Sequence, residues 1–257
     1  MNDAAGTANF RIQMNLGIVD AELGQLHAGL ADFEAARKNA IREAADTSPH
    51  VVECEVAIAA VLTALGEYDR ARPMLDRGLA EAAAARAPVQ TEALYASARF
   101  ALARGDSATA ARRFTEYAQV NKDPSDPERA ILEAEVTRAQ SGCRVARSVI
   151  ERTLAAVKNV PYYSERIQAA VVAARCDVEL GEPVRALAEL EPTLSWYAER
   201  HADIEVIAGA LFAKALAVAA QGDVERARTL AERARPGLFG VARDEVMRWL
   251  AQHPHSH

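Results

Sequence analysis

Aromatic residues make up only 5% of this 257-residue chain, and its apolar half is dominated by Ala and Leu rather than by β-branched residues. Strands need residues that suit a pleated, half-buried surface, so this shortage excludes a sheet-based fold. Excess positive charge is also missing. The chain carries 30 Lys and Arg against 36 Asp and Glu, a formal charge of −6, with no run of basic residues, which excludes the clustered cationic footprint that nucleic acid requires. No long apolar run occurs either: Ile207 to Ala220 is interrupted by Lys214 and falls short of the roughly 18 residues of a membrane span. The opening Met1-Asn2-Asp3-Ala4-Ala5-Gly6 lacks the basic and then apolar layout of a signal peptide. Together these absences predict a cytoplasmic protein with neither a membrane nor a nucleic-acid partner. Cysteine is scarce. Cys54, Cys143 and Cys176 form an odd, scattered set without a C-x-x-C pair, so neither a disulfide framework nor a zinc site is expected, and the three are read as reduced thiols.

Signatures of catalysis are missing too. There is no phosphate-cradling glycine loop, dinucleotide fingerprint, H-E-x-x-H or kinase motif. No enzyme activity, cofactor or metal is therefore expected. The histidines are His27, His50, His201, His253, His255 and His257, and the terminal His-Pro-His-Ser-His reads as a solvated, disordered end. Asp123, Asp126 and Glu128 stand among two prolines and read as a capped loop, with Ser125 and Glu128 forming a capping box and Pro127 in the first turn.

What the sequence does have is helix formers. Ala, Leu, Glu and Arg predominate, and these residues lose least on entering a helix. It also has a repeat. Glycines at 24, 66, 105, 142, 181 and 222 are separated by 42, 39, 37, 39 and 41 residues, each between two apolar-periodic runs. A glycine at such a place ends one helix in the left-handed conformation. The Asp, Glu or Gln that usually follows suits the start of the next. Five residues after the glycine comes a small side chain, namely Gly29, Ala71, Ala110, Ala186 and Ala227, with Ala146 one place early; about four further on comes a larger plug, Phe33, Leu75, Phe114, Ile150 or Leu190, with only Ala231 in the last unit. Small and then large, one turn apart, lets two helices close on each other.

This pattern resembles the tetratricopeptide repeat (TPR), most closely in Leu16-Gly17, Gly24, Phe33 and Ala36. The period is about five residues longer than the family's 34, as in long-repeat bacterial types. The Ala/Arg-rich style and the segment Asp123 to Glu128 also look like the repeat regions of bacterial serine/threonine kinases and regulatory proteins. The resemblance implies an all-α, right-handed α-solenoid of about six antiparallel helix pairs plus a C-terminal capping helix. The expected units span about 8–47, 50–87, 88–121, 126–159, 161–201 and 203–237. The cap is placed at 238–252, with Val246, Trp249 and Leu250 turned inward, and the tail at 253–257. The first helix has no such cap, so Phe10, Met14 and Leu16 are expected to face a preceding domain or a second copy.

In the family that this chain resembles, the first helix of each pair lines a concave groove that holds a protein or peptide. Counting back from the glycines places Arg11, Glu53, Glu92, Tyr95, Arg99, Arg129, Gln168, Arg175 and Phe212 in that groove. The Lys/Asn set with which chaperone-binding members grip a terminal carboxylate is absent, since Met14, Ile18, Ala57, Glu92 and Ala96 stand there. The expected function is a non-catalytic scaffold or adaptor binding a protein or peptide, as a regulatory part of a larger bacterial signalling protein. The alternatives are a scaffold that dimerises through the first helix pair and a bacterial peptide-sensing receptor.

Overall fold

The structure is a computed structural model that describes residues 3–44, 48–84, 88–158, 163–199 and 204–254. Among these residues there is no strand. The chain forms two compact units, Met1–Lys122 and Asp123–His257. The first contains α1 (Asp3–Glu22), α2 (Leu26–Ala44), α3 (Pro49–Leu65), α4 (Tyr68–Ala84), α5 (Pro88–Ala103) and α6 (Ser107–Val120). The second contains α7 (Pro127–Val157), α8 (Tyr163–Glu179), α9 (Pro183–Glu199), α10 (Ile204–Ala220), α11 (Val224–Ala234), a single 3-10 turn (Arg235–Gly237) and α12 (Gly240–Gln252). Within each unit consecutive helices pack side by side, and a first helix also packs on the next first helix, α3 on α5 and α8 on α10. This is the neighbour pattern of an α-solenoid built from helix pairs.

All six elbow glycines have positive φ. Gly66 shows the usual form: φ 83° and ψ 10°, its N–H donating to the carbonyls of Leu62 and Thr63. The acidic residue after the glycine starts the next helix. Asp106 accepts a hydrogen bond from the Thr109 N–H at 3.0 Å and Asp223 one from the Arg226 N–H at 3.1 Å, satisfying donors that the first helical turn leaves open. That backbone bond holds the Asp106 carboxyl below its ordinary pKa. At the start of α7 the cap is Asp126 rather than Ser125. Its carboxylate accepts from the Glu128 N–H, while Asp123 accepts from the Ser125 N–H and hydroxyl. A short carboxylate reaches the open N–H groups without the reciprocal pairing of a capping box, and the acidic loop is thereby occupied in capping.

The fourth elbow differs from the others. The span Pro127–Val157 is two helices that meet at a kink, and only Gly142, at φ 77° and ψ 170°, leaves the helical region. The two halves nevertheless lie side by side. The Thr153 hydroxyl donates to the Ala130 carbonyl at 3.0 Å, whereas in a straight helix 23 residues would separate them by about 35 Å. One residue makes the whole reversal. Because that conformation is almost confined to glycine, Gly142→Ala is expected to cost on the order of 2–3 kcal/mol. A Gly66→Asn change, in a left-handed region that Asn tolerates, is expected to cost less than about 1 kcal/mol. Nothing within 4 Å would meet the new Cβ at Gly142, so its loss in urea denaturation, set beside that of Gly66→Asn, reports backbone strain rather than a clash. Equal losses would contradict it.

The seam follows the small-then-large rule. Ala71, Ala110, Ala146, Ala186 and Ala227 are fully enclosed, and Phe33, Leu75, Ile150 and Leu190 are buried beside them. At the closest crossing, a Cβ on Gly29 would stand 2.9 Å from the Gly17 carbonyl oxygen. Phe114 departs from expectation. It is only half-buried, and Tyr117, at 1% exposure, fills the place with the Phe114 and Tyr95 rings against it. Phe10 and Met14 are also buried, packed on His50 and Cys54 of α3, whereas the sequence reading turned them outward. Leu16 stays about half exposed, in line with Ile12, Val19 and Leu23. On a helix that four- and three-residue spacing forms one apolar stripe.

Candidate functional site

The first-helix face of the second unit carries the most complete site. Arg175 on α8 and Phe212 on α10 stand on successive first helices, and α12 reaches both. Glu245 forms an ion pair with Arg175, and the Trp249 ring meets Phe212 edge-on with centroids 6.5 Å apart. Val246, wholly buried between them in sequence, seats α12 in the core. Glu245 and Trp249 lie four residues apart and so share a helix side. Arg228 of α11 fastens the far end, its guanidinium donating to the carbonyls of Leu250 and His253. His253 stacks on Trp249 at 4.2 Å and its Nδ1 lies 2.9 Å from the Trp249 carbonyl. It is therefore part of the helix end rather than of a disordered tail, while His255 and His257 lie outside the described residues. Phe212 is 3% exposed, as part of the core cluster against which Trp249 packs.

The remaining expected groove residues are less gathered. Arg11 is exposed on α1, Glu53 is exposed on α3 with His50 Nδ1 3.6 Å from its carboxylate, and Gln168 is exposed on α8. Arg129 is half-buried in the first turn of α7. On α5, Glu92, Tyr95 and Arg99 fall on one side at spacings of three and four, with Tyr95 propped against Tyr117. Glu245 and Trp249 were not read as one pair from the sequence. The signal was available, as an acid four residues before an aromatic on a terminal amphipathic helix.

Two buried carboxylates tie neighbouring helices together. Glu55 of α3, 3% exposed, accepts from Arg37 of α2 at 2.6 and 2.8 Å and from Arg77 of α4 at 3.2 Å, all on one oxygen. Asp177 of α8 lies 3.7 Å from Arg147 and 3.5 Å from Arg185. Burial raises the Asp177 pKa above the ordinary carboxylate range, and the Arg185 charge offsets this only in part. A carboxylate whose pKa is higher folded than unfolded lowers stability where it is ionised, and that loss disappears as pH falls through the raised value. Asp177→Asn is therefore expected to raise the melting temperature at pH 7, with an advantage over wild type that shrinks toward pH 4. An advantage that grows on acidification would contradict it.

The cysteines are not all reduced. Cys143 and Cys176 form a disulfide across 33 residues with Cα atoms 5.0 Å apart, fastening the second half of α7 to α8. Spacing along the chain did not show this, because the two approach only when one helix pair stacks on the next. Cys54 is free and buried, its thiol pushed up to about 12 by burial and by the Glu53 charge, so it is an inert core residue. Among the described residues no three His, Cys, Asp or Glu side chains are grouped to hold a metal ion, and no helix is long and apolar enough to cross a membrane.

No protein-family model and no curated protein matches the chain. A solved structure does: a tetratricopeptide repeat protein from Parabacteroides merdae superposes with a TM-score of 0.62, at 17% identity, over 94% of this chain and 83% of the other. The fold is that of a tetratricopeptide repeat array. The TPR elbows are the positive-φ glycines, and the TPR first helices are α1, α3, α5, the first half of α7, α8 and α10. The disulfide and the two carboxylate clusters thus bridge successive TPR helix pairs or the helices within them.

Proposed function

We propose that the protein is a non-catalytic scaffold that binds an amphipathic helix bearing an acidic residue on its first-helix face. One observation carries this reading. The face already holds such a helix, its own α12, through the Glu245–Arg175 pair and the Trp249–Phe212 contact. An apolar anchor plus a charge-assisted bond on a preformed surface is how a helix is recognised in a groove. Arg175 and Phe212 form the centre of this site, Gln168 and Arg129 extend it along α8 and α7, and Arg11, Glu53, Glu92, Tyr95 and Arg99 form the corresponding face of the first unit. On this reading the ligand is a protein or peptide, no cofactor is used, and the protein acts in the cytoplasm as a regulatory part of a bacterial signalling system.

The test is fluorescence anisotropy with a labelled peptide of the α12 sequence, Gly240–Gln252. Wild type is expected to bind it weakly because α12 occupies the site. A Glu245→Ala, Trp249→Ala variant is expected to bind at least about tenfold more tightly, since the internal helix no longer competes. Equal affinity for the two proteins would remove this face from the account.

The α1 stripe favours a second reading, self-association. Ile12, Leu16, Val19 and Leu23 are each about half exposed on one side of the helix, and a second copy presenting the same stripe would cover them in a two-fold interface. Sedimentation of wild type and of Leu16→Glu, Val19→Glu decides this. A dimer that becomes monomeric is expected, and a wild-type monomer at high concentration would contradict it.

A further inference from the structure

A cavity of about 180 Å³ opens in the first unit among α4, α5 and α6. It lies away from the first-helix face. On α5 its lining residues Ser97, Phe100 and Ala101 fall on the side opposite Glu92, Tyr95 and Arg99 at 100° per residue. Its lining is mixed: Leu75, Leu79, Phe100 and Ala101 supply an apolar part, and Arg72, Arg104 and Arg113 stand among the polar residues.

The arginines are held in an unusual way. The Arg72 guanidinium lies 5.6 Å from the centre of the Phe100 ring and that of Arg104 lies 5.5 Å from the centre of Tyr68, while the two rings meet edge-on at 5.8 Å. An aromatic pair thus carries a cation at each end. Both arginines are exposed, and neither guanidinium has a carboxylate partner among the described residues. Cation–π contact places a guanidinium but leaves its N–H donors unused. One buried polar atom at the cavity also lacks a partner. The Arg113 Nε is shut off from solvent with no acceptor, although Nη1 of the same side chain donates to Glu116 at 2.7 Å. The Ser97 hydroxyl belongs to a residue only 7% exposed that also lines the cavity. A donor shut off from solvent, as the Arg113 Nε is, is costly unless a ligand completes it, whereas the exposed Arg72 and Arg104 guanidinium groups keep donors free to turn to a ligand.

The opposing charge is limited. Two carboxylates line the cavity, Asp76 and Asp106, and Asp106 is committed to capping α6 through the Thr109 N–H. The remaining Asp76 makes a second negative charge on the ligand unfavourable. We infer that this cavity binds a carboxylate carried on a small apolar stem, with the oxygens accepting from Arg72, Arg104 and Arg113 and the stem against Leu79 and Phe100. The site is separate from the helix-binding face, so either stands if the other fails.

The experiment is an amide NMR titration of the full chain. Phenylacetate is expected to shift the amides from Ser97 to Arg104 saturably. The neutral isostere phenylacetamide is expected to bind at least about tenfold more weakly, because the arginines' charge-assisted bonds are lost. Acetyl-phenylalanine, with the same carboxylate at a peptide end, separates the two sources of such a group. If it shifts the same amides the site suits a peptide terminus, and if only phenylacetate does the ligand is a free acid. Arg72→Gln, Arg104→Gln is expected to abolish the preference for the acid while its melting temperature shows that it remains folded. If that variant unfolds, the comparison of the acid with its amide on wild type still decides. No saturable shift, equal affinity for acid and amide, or a folded double variant that binds as wild type would each overturn the assignment.

Discussion

Reduction of the Cys143–Cys176 disulfide is expected to destabilise the second unit by about 3–4 kcal/mol, the entropy released when a 33-residue loop is opened in the unfolded chain. For a chain of this size that corresponds to a drop in melting temperature of about 10 °C. The bond fastens α8 to the second half of α7, so its loss also lets one helix pair part from the next. Wild type scanned with and without a phosphine reductant measures the drop. A Cys143→Ala, Cys176→Ala variant is expected to melt at the lower temperature in both conditions. Thiol titration in denaturant supplies the control: one free thiol, from Cys54, before reduction and three after. Three thiols before reduction, with no shift on reduction, would show that the bond does not form. The same assay bears on where the protein acts, because a reducing cytoplasm opposes such a bond, and the cytoplasmic reading predicts that cellular protein carries the open form.

Glu55→Ala is expected to cost about 3–5 kcal/mol, because it removes the buried carboxylate that sits between two arginines, of which Arg77 also pairs with Glu81. Arg37 and Arg77 would then face one another across an emptied site between α2, α3 and α4. The loss falls toward the lower figure, since both guanidinium side chains remain roughly 30% exposed and water relieves part of the repulsion. The informative comparison is the triple change Arg37→Met, Glu55→Leu, Arg77→Met. Replacing a buried ionic cluster by apolar groups of similar size is often neutral or stabilising, so the triple variant is expected to exceed Glu55→Ala in urea denaturation. A Glu55→Ala loss below about 1 kcal/mol would mean that the cluster holds nothing together.

Local chemistry with a fixed period was legible in the sequence. The elbow glycines had to adopt positive φ because few residues do so cheaply, and the alanine five places on had to be small because two backbones cross there. Both appear where the spacing put them. Relations between units were not legible. The disulfide joins residues 33 apart and the Glu55 cluster reaches 18 and 22 residues along the chain, separations that spacing rules within one helix do not address. Phe114 illustrates the same limit within a unit, because its spacing matched a plug position while the larger Tyr117, three residues on, took the space. The candidate groove was legible as a list of positions. That α12 contacts two of them, Arg175 and Phe212, followed only from where the chain turns back after Gly240.

The central claim is that Arg175 recognises an acidic residue on a helix docked across the first-helix face. Charge reversal tests it most directly. In the Glu245→Ala, Trp249→Ala background, an added Arg175→Glu change is expected to weaken binding of the labelled Gly240–Gln252 peptide by about tenfold or more, the scale of one charge-assisted bond. A peptide carrying Glu245→Arg is expected to restore that binding, because the ion pair is then reversed rather than lost. If the Arg175→Glu protein binds the unchanged peptide as well as its parent, or the reversed peptide fails to regain affinity, Arg175 does not read the acid and the account is contradicted.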